Sequence, residues 1–227
     1  AYKFDEDSEV KQIDLANVNP DKVPEEFIEA LLNNDIIKIA HNATFERVCL
    51  SRYLRDLCYI DGFLDPNGWT CTANRASELG IPRSLADAGR ELGLAQEEAK
   101  MAAAGKALIR YFCVPCKPTK VNGGRTRNYP WHDIEKWETF KKYNRQDVVA
   151  ESTIEDKENE YPASTENEHR VFVIDQLIND TGVAVDMDFV DIILEYSAKR
   201  TAKLVSRAQE ITKLDNPNSL EQVKGWL

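Results

Sequence analysis

The 227-residue sequence lacks several features that would place it in other protein classes. No apolar run approaches the roughly 20 residues that a membrane helix needs, so we expect a soluble chain with no membrane partner. The five cysteines are odd in number and irregularly spaced, which argues against a disulfide framework and favours a reducing cytoplasm. Internal repeats and low-complexity tracts are also missing. One or two ordinary domains are therefore expected.

A zinc site is also disfavoured. Cys113 and Cys116 form a Cys-x-x-Cys pair, but no second such pair exists, and the chain has only three histidines. A structural zinc ion needs four ligands. The sequence therefore favours two free thiols on either side of a turn at Pro115.

Acidic residues are missing from the stretch Cys113–Trp131, although the whole chain has a net charge of −10. Binding to nucleic-acid phosphates needs cations, and the overall charge counts against it. The stretch itself carries Lys117, Lys120, Arg125 and Arg127. Its prolines and glycines predict a long loop, which is either a solvated connector or a contact to a DNA backbone.

The order of predicted elements is typical of an α/β protein. A β-branched run at 36–40 predicts a short buried strand, and a helix follows it directly. A strand–turn–strand is predicted over residues 4–15, with a further helix after Pro24. Other helices are predicted around 69–79, 84–92, 97–112 and 133–159.

A polar segment at 159–167 indicates a domain boundary, which divides the chain into residues 1–160 and 161–227. Only helices are predicted beyond it. Asp186 is placed to cap one of them, and Ser219 and Gln222 have the spacing of a capping box at the start of another. Because the sequence opens within a strand and stops one turn into a helix, we expect a piece of a longer protein.

Two motifs carry candidate chemistry: Asn42-x-x-Phe45-Glu46 after the predicted strand, and Tyr143-x-x-x-Asp147 inside a helix. Residues four apart share a helical face, so the phenol and the carboxylate can point at one spot. Carboxylates bind Mg²⁺ or Mn²⁺, and two such ions can promote phosphodiester hydrolysis. Taken singly, the motifs have plain structural interpretations, such as a helix cap with an early glutamate, or two residues that share a helical face by chance.

In this order, the motifs resemble the second and third motifs of the DEDD exonuclease superfamily, in the subclass with a tyrosine in the third. His41–Leu50 and Ile109–Asn128 resemble the bacteriophage-type branch of family A DNA polymerases. Ile178–Asp186 resembles the segment that opens the polymerase part of that family, and Asn216–Gln222 the start of its thumb. The likeness covers essentially the whole chain.

The resemblance implies an RNase H-like fold, in which helices flank a mixed sheet, followed by an all-helical start of the polymerase domain. It implies 3′–5′ proofreading with two Mg²⁺ or Mn²⁺ ions at a single-stranded DNA 3′ end or primer-template. Asp147 and Glu46 would be metal ligands, Glu46 standing where the superfamily has aspartate, and Tyr143 would orient the attacking water. Asn42 and Phe45 would touch the DNA end. The parent would be a phage or prophage polymerase acting in bacterial cytoplasm, with the rest of its chain as a partner.

The first motif of the superfamily, Asp-x-Glu on the first strand, has no match on a predicted strand. Asp5-Glu6-Asp7 and Asp7-Ser8-Glu9 fall in a predicted turn, and the family pattern would place the motif before Ala1. We therefore expect half of the carboxylates, a sheet without its first strand and little nuclease activity from these residues alone. An alternative is a non-catalytic, exonuclease-like domain with a DNA-binding or structural role, which Glu46 favours. A free-standing exonuclease is opposed by the thumb-like C-terminal residues.

Overall fold

The computed structural model describes residues 1–4, 9–16, 23–94 and 97–227, with only the backbone of 97–104. The chain divides into two compact units, Ala1–Asp180 and Thr181–Leu227. The first contains β1 (Lys38–Ala40), β2 (Trp69–Cys71), α1 (Glu25–Leu32), α2 (Ala43–Asp56), α3 (Thr72–Glu78), α4 (Leu85–Glu91), α5 (Glu97–Cys113), α6 (Ile134–Glu158) and α7 (Glu166–Thr181), which ends at the boundary. The second contains α8 (Met187–Thr212) and α9 (Leu220–Trp226).

A parallel pair of strands lies at the centre of the first unit, so the fold is mixed α/β and mostly helical. Strand β1 pairs with β2 in a register that sets Lys38 opposite Trp69 and Ala40 opposite Cys71. The strand predicted at 36–40 is confirmed over 38–40, but its predicted burial is wrong, because only Ala40 is buried and Ile39 is 41% exposed. The prediction that a helix begins at Trp69 is wrong, because Trp69–Cys71 is a strand and the helix begins at Thr72. Trp69 and Cys71 are buried while the residue between them is exposed, which is the period of two of a strand.

The predicted turn of the N-terminal strand pair, residues 5–8, lies outside the described residues. On either side of it the chain forms a single antiparallel bridge between Tyr2 and Lys11, with hydrogen bonds of 2.9 and 2.7 Å. This bridge does not join the β1–β2 pair. In the described residues the sheet therefore has two strands, and its RNase H-like character remains a prediction.

The hydrophobic core of the first unit joins α1, α2, both strands and α7. Phe172 and Val173 of α7 are buried in it, and Asp180 at the end of α7 is ion-paired with the buried Arg47 of α2. The polar segment at 159–167 is therefore the connection between α6 and α7, and the compact units divide only after Asp180. The other core residues include Ile28, Leu31, Ala40, Ala43, Leu54, Leu64, Trp69, Cys71 and Ala73.

The second unit is helical throughout the described chain, as predicted. Asp186 caps α8 by accepting a hydrogen bond from the backbone N–H of Phe189 at 2.9 Å. Ser219 caps α9 in the same way. The predicted capping box is only half formed, because the Gln222 side chain accepts from the N–H of Asn216 and not from that of Ser219.

Among the described residues, no helix combines the length and the apolar character that crossing a bilayer would require.

Candidate functional site

The first motif lies where β1 passes into α2. Asn42 takes a left-handed backbone conformation, φ 68° and ψ 47°, and its side chain makes no capping hydrogen bond. That conformation is uncommon for residues other than glycine, although asparagine tolerates it better than most. The Asn42 side chain is exposed, and Phe45 in the next turn is 63% exposed. Both side chains are therefore free to touch a ligand, and the interpretation of Asn42 as a side-chain cap is wrong.

Glu46, in the first turn of α2, is half-buried. Burial raises its pKa to about 7, because the charged form loses its hydration, and the amine of Ala1 opposes the rise. Its Oε2 atom is inaccessible to solvent and has no hydrogen-bond partner among the described residues. A buried carboxylate oxygen without a donor is costly, which makes it a candidate cation ligand.

The second motif lies on α6, where the Tyr143 hydroxyl and the Asp147 carboxylate interact. Burial raises the pKa of Asp147 to about 6, and the interaction with Tyr143 limits the rise. Burial and the negative charge of Asp147 raise the pKa of Tyr143 to about 12. The tyrosine therefore stays protonated and can act as a donor near neutral pH.

Glu151, four residues beyond Asp147 on the same face of α6, is a candidate that the sequence analysis missed. Burial is the main cause that raises the pKa of its carboxyl to about 8, and the negative charges of Glu46, Glu155 and Asp147 add to the rise. The backbone N–H of His41, at the turn that precedes α2, opposes it. The charges of both predicted carboxylates therefore raise the pKa of Glu151. The four-residue spacing of Tyr143 and Asp147, continued by one step, would have found it.

The donor chemistry of these side chains fits Mg²⁺ or Mn²⁺, since both ions prefer oxygen ligands. Glu151 resembles Glu46 in having a buried oxygen, Oε1, without a hydrogen-bond partner in the described residues. Across that same part of the chain, no three side chains of His, Cys, Asp or Glu are grouped so that they could hold a metal ion. The carboxylates therefore share an electrostatic neighbourhood and not a formed coordination shell.

Gly105 of α5 provides the space for the Tyr143 ring. A Cβ atom at this position would lie 2.2 Å from Cε2 of Tyr143, far inside van der Waals contact. Only glycine allows the helix backbone to come this close. On the other side of the residue, Phe140 stacks with the ring at a centroid distance of 6.5 Å. A glycine within an alanine-rich helix, where alanine is the better helix former, was the available signal.

The predicted long loop between α5 and α6 is organised by Asn122. Its side-chain oxygen accepts hydrogen bonds from the N–H groups of Thr119 and Gly124, and its amide group donates to the carbonyls of Lys117 and Arg125. Gly123 and Gly124 both have positive φ, which suits a tight turn. The loop is therefore built by its own hydrogen bonds.

The four predicted cations of this loop differ in their surroundings. Lys117, Lys120 and Arg127 are exposed, and the Arg127 guanidinium lies 5.8 Å from the centre of the Tyr129 ring. Arg125 is half-buried, and its guanidinium donates to the Asn128 side chain and to a backbone carbonyl within the loop. A role in DNA binding stays a prediction for all four. The exposed three are the better placed for it.

The sequence favours the core over base stacking for both Trp131 and Trp137, and the structure separates them. Trp137 packs against Phe112 at a centroid distance of 5.0 Å, and its indole N–H donates to Asp14. Trp131 is 61% exposed, so its assignment to the core is wrong. It follows the buried Pro130 in a short 3₁₀ turn.

The chain is 44% identical to the DNA polymerase of Bacillus phage SP02. The match covers all 227 residues, and the chain spans about a third of the length of that relative (33%). No protein-family model matches the chain, and no solved structure matches it.

Homology to the phage polymerase agrees with the resemblance seen in the motifs at the level of a DNA polymerase. The aligned region includes every candidate residue, among them Asn42, Asp147 and the basic loop, because the match covers the whole chain. The roles of these residues as catalytic, metal-binding or DNA-binding groups stay predictions.

The cysteine pair of the loop consists of free thiols. Cys116 is half-buried, and its thiol donates to the Arg125 carbonyl at 3.4 Å. Cys113 is exposed at the end of α5, and partial burial of its thiol raises the pKa. Cys116 thus belongs to the hydrogen bonding of the Asn122 turn.

Proposed function

We propose that this chain is part of a DNA polymerase and carries most of its 3′–5′ proofreading exonuclease. Residues 1–160 would be the exonuclease part, and 161–227 the helical start of the polymerase part, whose first helix, α7, packs into the core of the first unit. The observation that carries the proposal is the group of buried carboxyls on α2 and α6, where the charges of Glu46 and Asp147 both raise the pKa of Glu151 and Tyr143 interacts with Asp147. Homology to a phage DNA polymerase supports it.

In this proposal Glu46 and Asp147 hold Mg²⁺ or Mn²⁺, and Glu151 adds a third negative charge. Two bound cations supply the positive charge that stabilises the attacking and leaving oxygens in phosphodiester hydrolysis. The Tyr143 hydroxyl orients a water molecule for attack, since its own proton is engaged by Asp147 and its oxygen can accept a hydrogen bond. Asn42 and Phe45 contact the 3′ end of the DNA.

The number of carboxylates limits what these residues can do alone. Two dications about 4 Å apart repel each other, and several carboxylates are needed to hold them. Glu46, Asp147 and Glu151 supply at most three negative charges, and their raised pKa values show that even these are costly to ionise without a cation. We therefore propose weak metal binding and little nuclease activity for the 227 residues by themselves.

A second candidate is an exonuclease-like domain that binds DNA or supports the polymerase without hydrolysing phosphodiesters. It is favoured by the lack of a formed metal-ligand group in the described residues and by glutamate at position 46. The two candidates differ in whether added metal produces degradation of DNA from the 3′ end.

The deciding experiment uses the polymerase that contains these residues, on 3′-labelled single-stranded DNA with Mn²⁺. Asp147→Asn should abolish 3′–5′ degradation, because it removes a ligand charge at the site. Asp156→Asn, at an exposed position on the same helix, is the matched control and should degrade DNA at the parent rate. Equal degradation by both variants would reject the assignment of Asp147. A parent protein without any degradation would favour the non-catalytic alternative.

A further inference from the structure

An exposed aromatic pair stands at the end of the basic loop. The rings of Tyr129 and Trp131 are stacked, with centroids 4.7 Å apart and planes 4° apart. Tyr129 is 42% exposed and Trp131 61% exposed. Stacking on each other leaves Trp131 with most of its indole in solvent. Stacked rings that face solvent present a flat π-face, on which another flat ring can stack.

The backbone holds this pair in place. The buried Pro130 lies between the two aromatic residues in a short 3₁₀ turn, and the N–H of Tyr129 donates to the His132 ring at 2.9 Å. The Asn128 side chain donates to the carbonyl of Tyr111 at 2.9 Å, which fastens the segment to the end of α5. A partner that stacks on the pair therefore meets a surface that is already formed, and little ordering entropy opposes binding.

Positive charge accompanies the aromatic pair. Arg127 lies over the Tyr129 ring, and Lys117 and Lys120 of the same loop are exposed. The sequence has no acidic residue from 113 to 132. The first one after the pair, Asp133, is ion-paired with Lys136 and caps α6. The loop therefore offers flat rings and cations, and its own sequence from 113 to 132 adds no carboxylate.

We propose that Tyr129, Trp131 and Arg127 form a stacking platform for single-stranded DNA. A base would stack on the exposed indole of Trp131, and Arg127 would contact the neighbouring phosphate. Rings combined with cations fit this partner, because bases supply flat π-faces and the backbone supplies negative charge. The proposal rests on the proposed function for its choice of DNA. It concerns a surface on the loop, separate from the carboxylates on α2 and α6.

The test measures binding of a fluorescein-labelled oligothymidylate of about 16 nucleotides by anisotropy, with EDTA present so that no metal-dependent chemistry contributes. Trp131→Ala should weaken binding roughly tenfold, the loss of one stacked base, and Trp131→Phe should restore most of it. Tyr161→Ala, at another exposed aromatic residue of the same unit, is the matched control and should bind as the parent does.

An abasic oligonucleotide of the same length separates stacking from charge. Trp131→Ala should bind it as the parent does, whereas Arg127→Gln should weaken both ligands and lower the salt slope by about one. Equal affinity of Trp131→Ala and the parent for oligothymidylate would overturn the proposal. A loss of the same size on the abasic strand would also overturn it. A parent protein that binds neither strand would overturn it as well. A platform that binds DNA in a polymerase without nuclease activity would leave this proposal standing and reject only the exonuclease.

Discussion

The ion pair between Arg47 and Asp180 offers the sharpest test of how the first unit is held together. Arg47 is fully buried, and its guanidinium donates to both carboxylate oxygens of Asp180, at 2.6 and 2.9 Å. It also donates to the Leu64 carbonyl at 2.8 Å and to the Gln176 side chain at 3.4 Å. Asp180→Ala would leave the guanidinium buried with hydrogen bonds but without an opposite charge.

Breaking a buried pair from one side costs roughly 3–5 kcal/mol of folding free energy. We expect about 3 kcal/mol here, the lower end, because two neutral acceptors remain and Asp180 is partly exposed. The matched control is Asp56→Ala on α2, which breaks an exposed pair with Arg52 and should cost less than about 1 kcal/mol. Both variants replace an aspartate by alanine, so the difference between their costs in folding free energy reports the effect of burial.

The assay is urea unfolding followed by tryptophan fluorescence in a Trp226→Phe background. The remaining three tryptophans then all lie in the first unit. The double variant Arg47→Met with Asp180→Leu should recover most of the loss, because no charge is then buried alone. Equal urea midpoints for Asp180→Ala and Asp56→Ala would refute the reasoning. A double variant as unstable as Asp180→Ala would show that packing, and not charge, sets the cost.

Two further outcomes follow from the site. Gly105→Ala should destabilise the chain by about 1–3 kcal/mol, since its Cβ would collide with the Tyr143 ring, whereas Gly62→Ala, in the same unit and with open space around it, should be neutral or slightly stabilising in the same urea assay. For Glu151, the folded state binds its proton more tightly than the unfolded chain does, so stability should fall as pH rises from about 4.5 to about 8. Glu151→Gln should flatten that part of the stability–pH profile. An unchanged profile would contradict the burial of this carboxyl.

Local signals in the sequence predicted much of the fold. The caps at Asp186 and Ser219 were predictable, because a short side chain needs only the N–H three residues ahead. The strand at Trp69–Cys71 was not, since three residues before a helix are too few to show alternation. The division after Asp180 was missed for another reason. It depends on contacts of α7 with residues far back in the chain, whereas composition marked only the connection before α7.

The candidate site shows the same division between local and distant information. The pairing of Tyr143 with Asp147 was predictable from helical spacing. The influence of Glu46 on this face, by contrast, came only from a resemblance, because Glu46 lies on a different helix, α2. Glu151 and Gly105 belong to no motif that was recognised. Their importance becomes visible only in the folded structure, where His41 lies near Glu151 and Tyr143 lies against Gly105.

The buried Arg47 has a mechanical consequence for its neighbour in the chain. Successive residues of an α-helix point about 100° apart, so anchoring one side chain fixes the direction of the next. Arg47 is anchored to the Leu64 carbonyl and to two residues of α7, and α2 therefore has little freedom to roll about its own axis. The directions in which Glu46 and Phe45 leave the helix are therefore fixed as well. Substitutions near the end of α7, without any contact to the carboxylates, should therefore rotate Glu46 and Phe45 relative to the carboxylates on α6.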